Sequence, residues 1–84
     1  MVQIRLMSQV IHGTTFSIGR CNVQIGNSSI GGIAVACGTE RRILDDDGAR
    51  DWLVRHGLTT LEATEFMQSG LTAWDEMNTT LKAN

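Results

Sequence analysis

The longest periodic stretch of the chain, residues 59–82, constrains its fold more than any other feature. Thr59 and Glu62 have the spacing of a capping box, in which each side chain accepts a hydrogen bond from the backbone N–H of the other residue. Apolar residues then recur every three or four positions, which places them along one stripe of an α-helix. The members of this stripe are Leu61, Met67, Leu71, Trp74, Met77 and Leu81. The sequence therefore predicts a long amphipathic helix whose apolar stripe covers a second layer.

The weak point of this helix is Ser69-Gly70. A glycine inside a helix costs about 1 kcal/mol relative to alanine. The helix either kinks at this point or splits, with Thr72 as the cap of a second piece. We expect one helix with a weak point.

Residues 1–44 have the alternating pattern of antiparallel strands joined by short turns. We expect a three-residue turn at His12-Gly13-Thr14, which places Val10 opposite Phe16. The apolar positions of the second strand change parity along its length, so we predict a β-bulge near Gly19-Arg20. With this bulge, one apolar face collects Val2, Ile4, Leu6, Val10, Phe16, Cys21, Val23 and Ile25.

The third strand is expected over residues 33–37. If the sheet has four strands, residues 39–44 form the short fourth strand. Residues 45–57 then change to a helical period and predict a short helix, with acids at its start and Gly57 after its end. The whole chain, 1–84, therefore predicts a single α+β domain. Its architecture is a two-layer sandwich, in which an antiparallel meander of three or four strands packs against two C-terminal helices.

Charge is distributed unevenly along the chain. Residues 1–44 carry four arginines and one glutamate, whereas residues 45–84 carry three basic and eight acidic residues. The whole chain has a net charge of −2. This balance argues against a protein that coats DNA, which needs many basic residues facing phosphate. No apolar run approaches the length that spans a bilayer, and no signal peptide is evident. Cys21 and Cys37 are expected as buried free thiols, so we expect a cytoplasmic protein.

The sequence shows no spacing that is typical of a catalytic or metal site. The Asp45-Asp46-Asp47-Gly48 run lacks the other ligands of a calcium loop and fits the N-terminus of a helix. His12, His56 and the two cysteines do not form the close pairs of a zinc site. Serine-nucleophile and phosphate-loop motifs are also missing. We therefore expect no enzyme activity, no metal and no cofactor.

Two surfaces are candidates for binding a partner. The first is an acidic surface, whose members are Asp45, Asp46, Asp47, Asp51, Asp75 and Glu76. The second is the sheet face away from the helices, where we expect Arg5, Met7, Arg20 and Asn22 beside Ile11, Ala34 and Ala36. This face could serve a small nucleic-acid-binding regulator, but it offers no aromatic residue for base stacking, so direct nucleic-acid binding is the weaker alternative. A homodimer or larger assembly through this face or a sheet edge is a third alternative.

In size and in order of elements, the chain resembles the small inhibitors carried by bacteriophages, the anti-CRISPR proteins in particular. The resemblance rests on a meander over residues 2–37 followed by helices over 46–56 and 59–81. That group shares no common motif, so no site residue is carried over from it. The resemblance implies a non-enzymatic protein that binds a host defence nucleoprotein complex through protein–protein contacts. Its acidic residues would then imitate phosphate toward basic grooves.

Overall fold

The computed structural model describes residues 6–82, without the side chains of Val23 and residues 78–82. Its elements are, in chain order, β1 (Met7–Ile11), β2 (Thr14–Ile25), β3 (Ser28–Cys37), β4 (Glu40–Leu44), α1 (Asp46–Arg55) and α2 (Thr60–Lys82). The strands form one four-stranded antiparallel sheet in the order β1-β2-β3-β4. The predicted α+β architecture, an antiparallel meander followed by two helices, is confirmed, and the short fourth strand is present.

One face of the sheet, which we call the inner face, packs against both helices and carries the core. Residues paired directly across antiparallel strands point to the same side. The inner-face side chains that are at most 3% exposed are Phe16, Ile18, Ile33 and Val35. From the helices, Leu53 is fully buried and the Phe66 ring meets the Phe16 ring edge-on, with the centroids 6.2 Å apart. Burial of these side chains holds the two layers together.

The turn between β1 and β2 differs from the prediction. It has two residues, His12 and Gly13, whose φ angles are 53° and 76°, as a type I′ hairpin turn requires. Phe16 therefore pairs with Gln9 and not with Val10. A non-glycine residue seldom adopts a positive φ, so the sequence indicated only Gly13, and the three-residue turn was wrong. Because a shift of one residue moves a strand's side chains to the opposite face, Val10 points away from the helices.

The β-bulge near Gly19-Arg20 was predicted in the pairing of β2 with β1. On the other side of β2, the register with β3 continues without interruption. By the pairing with β3, Phe16 and Ile18 point toward the helices and Cys21 and Ile25 point away from them. The alternation is not strict at Gly19, where an added Cβ would lie 2.8 Å from Nε1 of Trp74 on α2. The described pairing of β2 with β1 ends at Met7 and Ile18, so the bulge between these two strands stays a prediction. The strand partners predicted at positions 2 and 4 lie outside the described residues.

Local capping interactions fix the start of each helix, as the sequence predicted. Asp45 is the N-cap of α1, and its side chain accepts a hydrogen bond of 2.7 Å from the backbone N–H of Gly48. The backbone N–H of Thr59 donates to Glu62 Oε1 at 2.9 Å, and the N–H of Glu62 donates to Thr59 Oγ1 at 3.1 Å. The capping box is confirmed. Gly57, with a φ of 113°, follows the end of α1.

The buried stripe of α2 differs in part from the prediction. Its buried members are Ala63, Phe66, Met67, Gly70 and Leu71. Leu61 is 67% exposed, Trp74 and Met77 are half-buried, and the Leu81 side chain is outside the described set. The helix continues through Gly70 without a break. A Cβ atom at Gly70 would collide with Cγ2 of Ile18, so this glycine is what lets α2 lie close to β2.

Candidate functional site

The face of the sheet that points away from both helices, which we call the outer face, exposes large apolar side chains. Five large hydrophobic residues of the described chain are exposed, and four of them lie on this face. These four, with their exposed fractions, are Val10 (66%), Ile25 (60%), Ile30 (54%) and Ile43 (54%). Each unburied side chain of this size forgoes roughly 1.5–3 kcal/mol of transfer free energy. The outer face is therefore the apolar surface that a partner could cover.

Small residues join three of these side chains into one apolar strip. Gly32 of β3 lies beside Ile43 of β4, and a Cβ atom at Gly32 would come within 2.8 Å of Ile43 Cγ2. The same Cβ would be 3.8 Å from Cys21 Sγ on β2. The bare backbone at Gly32 thus lets Ile43 lean across β3 toward β2. The strip continues from there along the outer face to Ile30 and Ile25 at the β2–β3 turn.

A groove of about 490 Å³ lies in the outer face on its β4 side. Two arginines, Arg41 and Arg42, border it, and its apolar lining comes from Leu6, Cys21, Ala34, Val35, Ile43 and Leu44. Within the described residues, neither arginine makes an ion pair or a side-chain hydrogen bond. An apolar groove beside two uncompensated guanidinium groups suits a partner that presents apolar side chains and a carboxylate.

The sheet residues that the sequence proposed as a contact surface do not gather on the outer face. Met7 lies on the inner face, opposite Ile18, and packs against the core. Arg20 also points to the helix side, where its guanidinium donates two hydrogen bonds to Asp75, of 2.8 and 3.1 Å. This contact raises the pKa of Arg20. Asn22 follows Arg20 on the same parity and is exposed, whereas Arg5 lies outside the described residues.

The acidic residues of α1 make mostly local contacts. Asp45 is committed to the helix cap. The Asp47 carboxylate lies 2.7 Å from the Arg50 guanidinium, and the Asp51 carboxylate lies 3.1 Å from that of Arg55. Such exposed pairs along one helix contribute about 0.3–0.5 kcal/mol each. These contacts partly neutralise the charge that phosphate imitation would require.

A second groove, also of about 490 Å³, nevertheless keeps carboxylates accessible. Asp45, Asp46 and Asp47 line it together with residues 20–22 of β2 and 31–33 of β3. The Asp47 side chain is 89% exposed despite its contact with Arg50. Glu76 is exposed on α2, at a distance in sequence from this groove. The structure therefore gathers three of the six predicted acidic residues around one groove.

Two histidines connect the helices to the turns of the sheet. His12 Nε2 lies 2.6 Å from Glu62 Oε2, and the pKa of Glu62 is lowered, first of all by the hydrogen bond from the Thr59 backbone N–H. His56 stacks on Trp52 with the ring centroids 3.8 Å apart. A hydrogen bond to the Trp52 carbonyl raises the pKa of His56, and burial opposes this shift. These contacts join elements of the fold and do not converge on one point.

Within residues 6–82, no group of three or more histidine, cysteine, aspartate or glutamate side chains is arranged to hold a metal ion. Both cysteines are free. Cys37 packs against the core, but Cys21 lies half-buried on the outer face, so its predicted place on the core face was wrong. Among the described residues, the histidines and cysteines therefore do not share a metal site.

The comparisons with known proteins add no relative. No family model matches the sequence, and neither a curated protein nor a solved structure is significantly similar to it. None of the helices in the described part of the chain is long and apolar enough to cross a membrane. The candidate site therefore rests on the geometry of this chain.

Sequence reasoning predicted an apolar outer face but assigned some of its residues wrongly. Ala34 and Ala36 do lie on the outer face, whereas Met7 and Ile11 pack against the core. The signal that could have found the surface is the presence of apolar residues on both parities of one strand. A strand with one face in water normally alternates apolar and polar residues, so apolar residues on both parities indicate two apolar faces.

Proposed function

We propose that this chain is a non-catalytic binding protein that attaches to a protein partner through the outer face of its sheet. The observation that carries this proposal is the concentration of exposed large hydrophobic residues there, four of five in the described chain. Single apolar residues scattered over a surface need no explanation, but a group on one face is typical of a contact surface. The rigid sheet beneath holds this surface in one shape, which reduces the entropy lost on binding.

The chemistry of the outer face specifies the kind of partner. The apolar strip needs a partner surface with aliphatic or aromatic side chains, since these fill the desolvated centre of an interface. Arg41 has the outer-face parity of the strip, and Arg42, which pairs with Val35, has the opposite parity and also lines the groove. Neither has an acidic partner of its own among the described residues. A carboxylate at the rim of the partner would complement them and would orient the complex.

The concrete form that we propose is an inhibitor of the anti-CRISPR type, which binds a host nucleoprotein defence complex in the cytoplasm. The order of elements, a meander followed by two helices, supports this form by resemblance. The two free cysteines suit a reducing compartment. The inhibitor would act by occupying a surface of the complex and would need no catalytic group.

The test is an affinity capture from lysate of the host, with nuclease-treated and untreated samples, using the wild type and three single variants. Val10→Lys and Ile43→Lys place a charge on the outer face. Leu61→Lys is the matched control, because Leu61 on α2 is 67% exposed and Val10 is 66% exposed. We expect the wild type and Leu61→Lys to recover the same partner, and the two outer-face variants to recover at least about tenfold less of it.

Equal recovery by all four proteins would overturn the outer face as the contact surface. Recovery of nucleic acid alone, lost after nuclease treatment, would replace the proposal with a nucleic-acid-binding function.

The acidic groove is a second candidate for the contact surface, favoured by the exposure of Asp46 and Asp47 at its border. The same capture decides between the two when an Asp46→Lys, Asp47→Lys double variant is included. If the acidic groove imitates phosphate, this variant loses the partner and Ile43→Lys retains it. Asp45 is left unchanged because it caps α1.

A further inference from the structure

Strand β3 extends beyond the end of its neighbour β4. β4 pairs with β3 only from Ile33 to Cys37, whereas β2 pairs with β3 from Ser28 onward. Residues 28–32 of β3 therefore have a strand on one side and no strand of the described chain on the other. We call this segment the open edge.

The hairpin geometry shows which backbone groups point out of the open edge. Cys37 and Glu40 flank the two-residue β3–β4 turn and so form a hydrogen-bonded pair. Alternate residues of an antiparallel strand hydrogen-bond to the same neighbouring strand. The backbone groups of Cys37, Val35 and Ile33 therefore face β4, and those of Gly31 and Ser29 point in the same direction beyond its end. Both residues are exposed. Two N–H and two C=O groups are thus directed into solvent along the line of β4.

The residues of the open edge themselves lack the features that usually prevent two sheet edges from pairing, although Asp45, Asp46 and Asp47 lie beside Gly31 and Gly32. Protein sheets protect their edges with charged side chains, proline or bulges. Residues 21–39 contain no charged side chain, and the chain contains no proline. The neighbouring edge strand β4, by contrast, carries Glu40, Arg41 and Arg42 in sequence. The open edge is therefore prepared for strand pairing in a way that the β4 edge is not.

We propose that the open edge pairs with the open edge of a second copy of this chain. The two strands would run antiparallel around a two-fold axis at Ile30. Ser29 of each copy would then lie opposite Gly31 of the other, and each such pair exchanges two backbone hydrogen bonds. The two Ile30 side chains meet on the outer face as a close cross-strand pair. The two four-stranded sheets become one continuous sheet.

Two observations favour a second copy over another extended segment. The unpaired stretch beside residues 28–32 is bounded by Leu44 at one end and by the Gly26-Asn27 turn at the other. Its length equals that of residues 28–32 of a second copy, which would fill it. The edge-facing residues are also spaced symmetrically about Ile30, which makes the edge complementary to itself. The paired segment itself is uncharged. Asp45, Asp46 and Asp47 line the groove beside Gly31 and Gly32, and in this pairing they face the uncharged Gly26-Asn27 turn of the other copy.

The proposed dimer and the proposed partner-binding surface share Ile30, but one pair of variants separates them. Ile30 and Ile43 are both 54% exposed on the outer face, but only Ile30 lies in the open edge. We expect sedimentation equilibrium of the wild type, from micromolar to near-millimolar concentration, to show a monomer–dimer equilibrium. Ile30→Lys should raise the dissociation constant at least about tenfold by placing two like charges together at the axis. Ile43→Lys should leave it unchanged.

A second variant removes a backbone donor without changing charge. In Gly31→Pro the lost N–H is one that points out of the open edge, so the fold of the monomer is retained. The site has room, since the atom nearest to an added Cβ is Asn22 Oδ1 at 4.0 Å. We expect Gly31→Pro to weaken the dimer as Ile30→Lys does, with a circular-dichroism spectrum like that of the wild type.

Amide hydrogen exchange tests the pairing directly in the unchanged protein. The N–H groups of Ser29 and Gly31 should become more protected as protein concentration rises. Exchange at these two amides that is independent of concentration would overturn the proposal. So would a wild type that stays monomeric over the whole range, or a dimer that both open-edge variants retain. Protection that arises only when another protein is added would assign the edge to that protein.

Discussion

The two faces of the sheet carry similar side chains and have different surroundings. On the inner face, Ile18 and Val35 are fully buried beneath the helices. On the outer face, Ile30 and Ile43 belong to the same strand layer and are 54% exposed. The difference shows that apolar content does not identify the core of a thin sheet. What identifies it is the face that the helices cover.

The comparison also separates stability from binding. Burial of an aliphatic side chain contributes roughly 1.5–3 kcal/mol, which the inner face realises during folding. The outer face keeps this free energy available for an intermolecular contact. Substitutions on the inner face should therefore change unfolding, and conservative substitutions on the outer face should change association.

The largest effect is expected from truncating Phe16, which is 1% exposed and contacts the Phe66 ring. Phe16→Ala should lower the free energy of unfolding by about 3–5 kcal/mol, because it removes a buried ring and leaves a cavity. Val10→Ala, on the outer face, should change it by less than about 0.5 kcal/mol. Urea denaturation of both variants measures the difference. Similar losses in the two variants would contradict the assignment of the faces.

A smaller effect is expected where α2 touches the inner face at Gly70. Glycine to alanine normally stabilises a helix interior by about 0.5–1 kcal/mol. Here the added methyl group meets Cγ2 of Ile18, so Gly70→Ala should destabilise the protein by about 1–3 kcal/mol. Gly31→Ala is the control, since its methyl group meets only open space and Asn22 Oδ1 at 4.0 Å. A Gly70→Ala protein more stable than the wild type would show that α2 lies farther from β2.

The smallest effect is expected at the border between the layers, where His56 connects α1 to β4. Nδ1 of His56 lies 2.8 Å from the Trp52 carbonyl and Nε2 lies 2.8 Å from the Glu40 carboxylate, so both ring nitrogens face acceptors and the imidazolium is favoured. The folded pKa is raised above 6.5. The contribution to stability is therefore complete below pH 6.5 and is lost as pH rises through the folded pKa.

The stabilisation by His56 should amount to less than about 1 kcal/mol, because Glu40 is exposed. Thermal midpoints measured from about pH 6 to pH 8.5 should fall less steeply in His56→Gln than in the wild type. Parallel curves for the two proteins would show that His56 binds its proton equally in the folded and unfolded states.

The sequence predicted the elements well, because local interactions specify them. The capping box of Thr59 and Glu62 and the Asp45 cap involve residues three positions apart, which a sequence displays directly. The candidate site was predicted less well. Arg20 was expected in a contact surface, but it pairs with Asp75, which is 55 positions away in sequence. No local pattern indicates such a pair.

The sequence by itself predicted a meander of three or four strands followed by two helices, because turn residues, caps and hydrophobic periods act over a few positions. It left the fourth strand open and began the third strand at residue 33, whereas β3 begins at Ser28. Only the tertiary structure decided which face of the sheet became the core. β2 has apolar residues at both odd and even positions, so its sequence fits a core on either face of the sheet. The two-residue turn at His12-Gly13 set the register, and packing of α2 over Ile18 and Gly70 covered one face. The other face keeps its exposed apolar side chains, because both described helices pack on the inner face.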